Sequence, residues 1–371
     1  MILRTNIFFL FIAFTTSLFA QEKNTSQDSA YVHEHYIKMD KRIPMRDGTL
    51  LFTTIYLPKD QSRKYPFLIC RTPYSVAPYG IERLKVPVGP NRLFDQEGFI
   101  FVYQDVRGKY LSEGKFVANR PYVKDKKKRE TDESSDAYDT IDWLLKHVPG
   151  HNGKAGIWGI SSPGFYATAS LIDAHPSLKA VSPQAPVTDW FMGDDRHHNG
   201  AFMLMGSFSF LSSFGRERDS ISTRGMAGFS NYGTKDAYRF YLDAGPLKNF
   251  NKKFLQGKSI LWNEMMEHEV YDEYWKIRTP IPHLKNVKPA VMVVGGWFDQ
   301  EDLYGPLKVH EAMEKAGPKH QNLLIMGPWY HGSWSRKNGD TLGAVAFDSR
   351  TGETYRKEME LPFFLQHLKD A

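Results

Sequence analysis

Gly159-Ile160-Ser161-Ser162-Pro163-Gly164 is the stretch on which the fold turns. It follows the apolar run Ala155-Gly156-Ile157-Trp158 and precedes Phe165-Tyr166-Ala167-Thr168-Ala169-Ser170-Leu171-Ile172, which reads as a helix. A serine on a glycine-flanked turn between strand and helix is the sequence form of a nucleophile elbow. The glycines permit a tight, strained turn that lifts the hydroxyl above the sheet edge. The backbone N–H of Ser162 then points where an oxyanion would form. The spacing is Gly-x-Ser-x-x-Gly, one residue longer than the usual elbow, so the stretch alone also reads as a strand, a turn and a helix with an incidental serine.

Working outward, Tyr36 to Arg42 and Thr49 to Tyr56 read as two strands around the turn Arg46-Asp47-Gly48. Phe67 to Arg71 and Phe99-Ile100-Phe101-Val102-Tyr103 are short apolar strands. Tyr138, Ile141, Leu145 and Val148 recur at helical steps, with acidic residues at the start where the helix dipole favours them. Leu178 to Ser182 is a further strand. From 187 to 287 the texture changes to Phe, Met, Gly and Tyr with helical patches such as Thr234 to Leu242 and Trp262 to Tyr274, read as an inserted helical cap. Ala290 to Val294 resumes the strands and leads to Asp299. Pro306 to Ala316 is a helix, and Leu323-Leu324-Ile325-Met326 is a strand leading to His331.

Strands alternating with helices imply a mostly parallel sheet covered on both faces, with ligands outside the carboxyl ends of its strands. Ser161, Asp299 and His331 each follow a strand, in the order Ser, Asp, His, which is the α/β-hydrolase order. The expected organisation is a leader over residues 1–20, a core over 21–186 and 288–371, and the cap over 187–287.

Composition narrows the class. The chain has 371 residues, 41% hydrophobic and 14% aromatic, which suits a globular protein. The net charge is +6, but the dense basic run Lys124-Asp125-Lys126-Lys127-Lys128-Arg129 is followed at once by acidic residues and holds no aromatic. It reads as a solvated loop rather than a nucleic-acid site. Arg4, the apolar stretch Ile7 to Phe19 and the small Ala20 read as an export signal, too short to span a membrane comfortably. An exported protein is expected, with no other membrane association, and with residues 21–30 polar and without order. The single Cys70 lies in an apolar run and reads as a buried thiol.

At these residues the chain resembles the α-amino acid ester hydrolases, within the wider group of cocaine esterases, glutaryl acylases and X-Pro dipeptidyl-peptidases. The resemblance is carried by Arg71-Thr72-Pro73-Tyr74, Gln104-Asp105-Val106-Arg107-Gly108-Lys109-Tyr110, Thr131-Asp132-Glu133, the elbow, Met192-Gly193-Asp194-Asp195, Trp297-Phe298-Asp299-Gln300-Glu301-Asp302 and Met326-Gly327-Pro328-Trp329-Tyr330-His331. It departs in two places. Ser162 stands where the family commonly has Tyr, and the family's C-terminal β jelly roll is expected to be absent from a sequence ending at Ala371.

The resemblance implies an α/β-hydrolase fold and an acyl-enzyme mechanism. Ser161 would be the nucleophile, His331 its base and later the acid, and Asp299 the orienting carboxylate. Tyr74 and the Ser162 N–H would form the oxyanion hole, although a tyrosine after a strand also reads as packing. Asp195, Glu301 and Asp302 map onto the family's carboxylate cluster, which suits a substrate ammonium beside the carbonyl. Clustered carboxylates raise one another's pKa, so they would not all ionise without a cation. Asp194 reads as a solvated charge. A competing reading gathers Asp194, Asp195, His197 and His198 with Glu301 and Asp302 around a divalent cation, though no strict ligand spacing supports it. No cofactor or metal is expected.

The implied substrates are small molecules with an α-amino acyl group: esters or amides of α-amino acids, and α-amino β-lactams. An X-Pro-type dipeptidyl aminopeptidase and a general carboxylesterase are the alternatives within enzymes. Outside them stands an amine-binding module without full catalytic geometry. Assembly into a homo-oligomer is left open.

Overall fold

The computed structural model describes residues 27–317 and 321–369; the segment read as an export signal lies outside them. Its centre is an eight-stranded sheet. The strands are β1 (Tyr36–Pro44), β2 (Leu50–Pro58), β3 (Tyr65–Thr72), β4 (Ile100–Asp105), β5 (His151–Ile160), β6 (Leu178–Gln184), β7 (Ala290–Gly296) and β8 (Asn322–Gly327). Their spatial order is β1-β2-β4-β3-β5-β6-β7-β8. β1 pairs antiparallel with β2, and β2 antiparallel with β4. Every other neighbouring pair is parallel. This is the α/β-hydrolase arrangement that the order of strands and helices predicts.

The apolar runs alternate between two cores, as the two-residue period of a strand requires. Phe67 and Ile69, Ile100 and Val102, and Val291 and Val293 face one core, where Ile141 and Leu144 cover them. Leu68 and Cys70, Phe101 and Tyr103, and Met292 and Val294 face the other, under Phe94, Phe363 and Phe364. Both faces are dry, which is why these strands read as continuous hydrophobic runs. Burial pushes the Cys70 thiol up to about 11. Truncating a phenylalanine here would cost about 3–5 kcal/mol.

The helix α1 (Glu133–His147) starts on a capping box. Asp132 accepts from the Ser135 N–H, and the Ser135 hydroxyl accepts from the Asp132 N–H. Caps of this kind contribute about 1 kcal/mol. The elbow helix α2 (Ser162–Ala169) follows β5 directly.

Between β6 and β7 the chain leaves the sheet. This stretch forms α3 (Leu204–Phe214) and several shorter helices around an aromatic cluster of its own, including Phe208, Trp262 and Trp275. Phe165 and Tyr166 of α2 join that cluster and so tie it to the elbow. The patch read as continuous from Trp262 to Tyr274 is two helices, Ile260–Glu267 and Glu273–Lys276. The second has its own N-cap, where the Asp272 side chain accepts from the Tyr274 N–H.

Two further expectations are corrected. Residues 27–35 are helical, so the polar stretch read as lacking order is ordered from residue 27. Within the basic run, Lys126 is not solvated: its side chain is 8% exposed and pairs with Asp132 at 2.8 Å. Among the described residues no helix is long and apolar enough to cross a membrane.

Candidate active site

The elbow is strained in the way its glycines anticipate. Ser161 has φ 69° and ψ −128°, a conformation that an L-residue holds only at a cost of about 1–3 kcal/mol. A Cβ on Gly159 would lie 2.3 Å from the Pro163 carbonyl oxygen, and one on Gly164 2.5 Å from that of Gln184. The turn therefore closes only with glycine at both positions. It places Ser161 at the carboxyl end of β5, beside the loops that follow β7 and β8.

Those loops bring Asp299 and His331 together. Asp299 is 4% exposed, and its Oδ2 lies 2.9 Å from His331 Nδ1. Its Oδ1 accepts from the N–H groups of Glu301 and Asp302, both at 2.9 Å, which fixes the carboxylate. Burial pulls the His331 pKa down, but the hydrogen bond and charge of Asp299, with the charges of Glu301 and Asp195, outweigh it and leave it raised. The Ser161 hydroxyl donates to Asp302 Oδ2 at 3.3 Å, and no hydrogen bond joins it to His331 among the described residues. That same Asp302 oxygen is 3.9 Å from His331 Nδ1.

The carboxylates expected to cluster do meet. The Asp195 N–H donates to the Glu301 carbonyl at 2.8 Å, and Asp194 and Asp302 form an antiparallel bridge. Asp302 is fully buried, and its Oδ1 has no hydrogen-bond partner among the described residues. Burial, and then the charges of Asp195, Asp194, Asp299 and Glu301, drive its pKa far above the usual carboxylate range. Glu301 is exposed. On the other side, the Tyr74 hydroxyl donates to Ser162 Oγ at 2.8 Å. Tyr74 as a whole is 39% exposed, yet its hydroxyl end is desolvated, and burial followed by the Asp195 charge raises its pKa.

Residues 47–333 match the X-Pro dipeptidyl-peptidase (S15) family. The chain belongs to that family. A solved α-amino acid ester hydrolase is 36% identical, with a TM-score of 0.82, over 91% of this chain and 55% of its own. An aminopeptidase from a marine sediment archaeon, Thaumarchaeota archaeon, is 33% identical, with a TM-score of 0.80 and the same coverage. The cocaine esterase of Rhodococcus sp. (strain MB1 Bresler) is 25% identical over 88% of this chain and 54% of its own length. The chain thus spans about half the length of these relatives.

In this S15 family member three features of the site escaped the sequence reading. The first corrects it. Asp194 is not a solvated charge but fully buried. Its Oδ2 accepts from the Thr188 N–H, the Thr188 hydroxyl and the Asp189 N–H, and its Oδ1 accepts from the Gly305 N–H at 2.8 Å. Burial still pushes its pKa up to about 7. Asp194 thereby binds the stretch after β6 to the loop that carries Glu301 and Asp302.

Arg196 is the second. Its guanidinium lies 3.2 Å from Asp195 Oδ2, with both side chains under a tenth exposed, and 4.5 Å from the Phe210 ring centre. Among the described residues Asp195 thus already holds a guanidinium, while Asp302 has no lysine or arginine within 4 Å, only the His331 ring at 3.9 Å. The third is the Ser162 side chain, since sequence reasoning invoked only its N–H. The adjacency of Asp195 and Arg196 was the available signal for the second; none marked the third.

The histidines of the divalent-cation reading are placed elsewhere. His197 Nδ1 is 3.0 Å from the Trp190 carbonyl, and its ring stacks on Phe191. Among the described residues no three His, Cys, Asp or Glu side chains converge as a metal site.

Proposed function

We propose that this chain hydrolyses, or transfers, acyl groups bearing an α-amine, through an acyl-enzyme on Ser161. The observation that carries this reading is the buried Asp302 carboxyl, which touches the Ser161 hydroxyl and has one oxygen without a partner. An ammonium beside a scissile carbonyl fits that position, with the carbonyl carbon then held against Ser161. Pairing with Asp302 restores the ionised carboxylate and gives the orphan oxygen a donor.

His331 takes the Ser161 proton as the serine attacks, and later delivers it to the leaving group, while Asp299 holds the imidazole. For the attack the Ser161 hydroxyl turns from Asp302 to His331. Tyr74 and the Ser162 N–H, at the start of α2, donate to the developing oxyanion. Asp302 is the principal partner of the amine. Glu301 adds charge at the rim, and Asp195, shared with Arg196, shapes the site.

Esters and amides of α-amino acids are the substrate class. Two solved relatives are named an α-amino acid ester hydrolase and an aminopeptidase, and both names speak of an amino group on the substrate. Export remains a proposal resting on the sequence after Arg4. The deciding experiment compares phenylglycine methyl ester with phenylacetate methyl ester, which lacks the amine. A preference of tens-fold or more in kcat/KM for the amine supports the reading, since breaking a desolvated ion pair costs about 3–5 kcal/mol. Equal rates would leave a general carboxylesterase.

A further inference from the structure

Five lysines and arginines are buried among the described residues: Lys38, Arg71, Arg107, Lys109 and Arg196. Four have a carboxylate oxygen within 4 Å. Lys38 is 3.9 Å from Asp40, Arg71 3.1 Å from Glu133, Arg107 2.7 Å from Asp136, and Arg196 3.2 Å from Asp195. Lys109 has none. Its ammonium donates to the Phe214 carbonyl at 3.0 Å and sits 3.9 and 4.0 Å from the ring centres of Phe116 and Phe214. Among the described residues Arg218 has no carboxylate oxygen within 4 Å either; its guanidinium donates to the Ser222 and Arg224 carbonyls and lies 4.6 Å from the Tyr110 ring centre.

These two cations line one pocket of about 180 Å³, and Tyr74 forms part of its wall. Tyr74 borders both the pocket and the elbow, because its hydroxyl donates to Ser162 Oγ at 2.8 Å. None of the cluster's carboxylates lines it. A buried ammonium without an anion is costly, and burial together with the Arg218 charge lowers the Lys109 pKa to about 7. A carboxylate placed between Lys109 and Arg218 would relieve both.

We propose that the Lys109–Arg218 pocket binds a free carboxylate on the leaving group, which makes an unblocked dipeptide the preferred substrate form. This rests on the acyl-transfer reading above and extends it. The amine lies at Asp302, the scissile carbonyl at Ser161 and the C-terminal carboxylate at Lys109. Hydrolysis then releases two amino acids: the acyl group passes to Ser161 and on to water, and the leaving amine takes its proton from His331.

Four esters test it, pairing phenylglycyl and phenylacetyl groups with glycolate or its neutral amide as the leaving group. The wild type is expected to favour the glycolate ester by at least about tenfold in kcat/KM with either acyl group, the scale of one charge-assisted hydrogen bond. Lys109→Met and, independently, Arg218→Gln on the part-exposed cap loop should bring that ratio to within about threefold by slowing the glycolate esters alone. Equal wild-type rates on glycolate and glycolamide esters, or variants that slow both leaving groups alike, would overturn the pocket's role. Failure of amine recognition would appear separately, as phenylglycyl and phenylacetyl esters reacting equally with either leaving group.

Discussion

The Ser161 hydroxyl donates to Asp302 Oδ2 at 3.3 Å, so the proposed nucleophile is hydrogen-bonded directly to the carboxylate cluster. Few arrangements couple substrate recognition to chemistry over so short a path. A cation that pairs with Asp302 therefore sits one hydrogen bond from the serine hydroxyl, which turns to His331 for the attack.

Asp302→Asn should therefore act on one substrate class. The amide keeps the shape, and the backbone N–H of residue 302 still donates to Asp299. What is lost is the charge that pairs with an ammonium. We expect kcat/KM for phenylglycine methyl ester to fall by about 10²-fold, in line with the 3–5 kcal/mol of a broken desolvated pair reduced for access of water. The phenylacetate ester should change by less than about threefold, and an equal loss on both esters would contradict the assignment.

Tyr74 and Ser162 can be separated in the same assay. Tyr74→Phe removes the proposed oxyanion donor and should lower kcat by about 10²–10³-fold with KM little changed, because the charge develops only in the transition state. Ser162→Ala removes the acceptor that holds the Tyr74 hydroxyl at rest but not the N–H of residue 162. It should cost less than about tenfold and leave a fluorophosphonate probe reacting at Ser161, whereas Ser161→Ala abolishes labelling. If Ser162→Ala is the unlabelled variant, the nucleophile is Ser162.

Asp194 gives a stability prediction. Four donors converge on its two oxygens, and an asparagine offers one acceptor oxygen and turns an NH2 on the remainder. Each buried donor left unsatisfied costs about 1–3 kcal/mol, so Asp194→Asn should lower unfolding free energy by about 2–4 kcal/mol in urea titrations. Gly305→Ala attacks the same junction from the other side, since its Cβ would lie 1.8 Å from the Pro186 carbonyl oxygen. If both variants unfold like the wild type, the junction between the two loops is not what holds the cluster.

The fold was legible because its strands are buried on both faces and read as short apolar runs, and because the residues following β5, β7 and β8 are Ser, Asp and His in sequence order. Asp299, His331 and the elbow announce themselves by position after a strand. Asp194 did not, because an acidic residue beside a glycine reads as surface, and its partners lie far off in sequence, at Gly305 above all. Lys109 was hidden in the same way. It sits among charged and polar neighbours in Arg107-Gly108-Lys109-Tyr110, and only the packing of Phe116 and Phe214 around it shows a cation without an anion. The break between the helices at 260–267 and 273–276 was invisible to periodicity, because apolar and aromatic residues continue through Val270 and Tyr271.

His331 acts as a base only when neutral, so kcat/KM should rise with pH through its pKa, which lies above the ordinary value of about 6.5. Burial opposes that rise, and Asp299, Glu301 and Asp195 supply it by favouring the imidazolium. Removing one of these negative charges must lower the pKa and move the acid limb to lower pH. Glu301→Gln is the variant of choice, because Glu301 is exposed and its side chain makes no hydrogen bond to Asp299 or His331 among the described residues. The substrate should be the phenylacetate ester, whose binding does not depend on ionising Asp302. An exposed charge contributes well under 1 kcal/mol, so the limb should move down by roughly 0.2–0.5 pH unit. The shift should shrink as salt rises from 0.01 M to 1 M, where the screening length falls from about 30 to about 3 Å. An upward shift, or a downward one indifferent to salt, would mean that Glu301 reaches His331 through the structure of the loop and not through its charge.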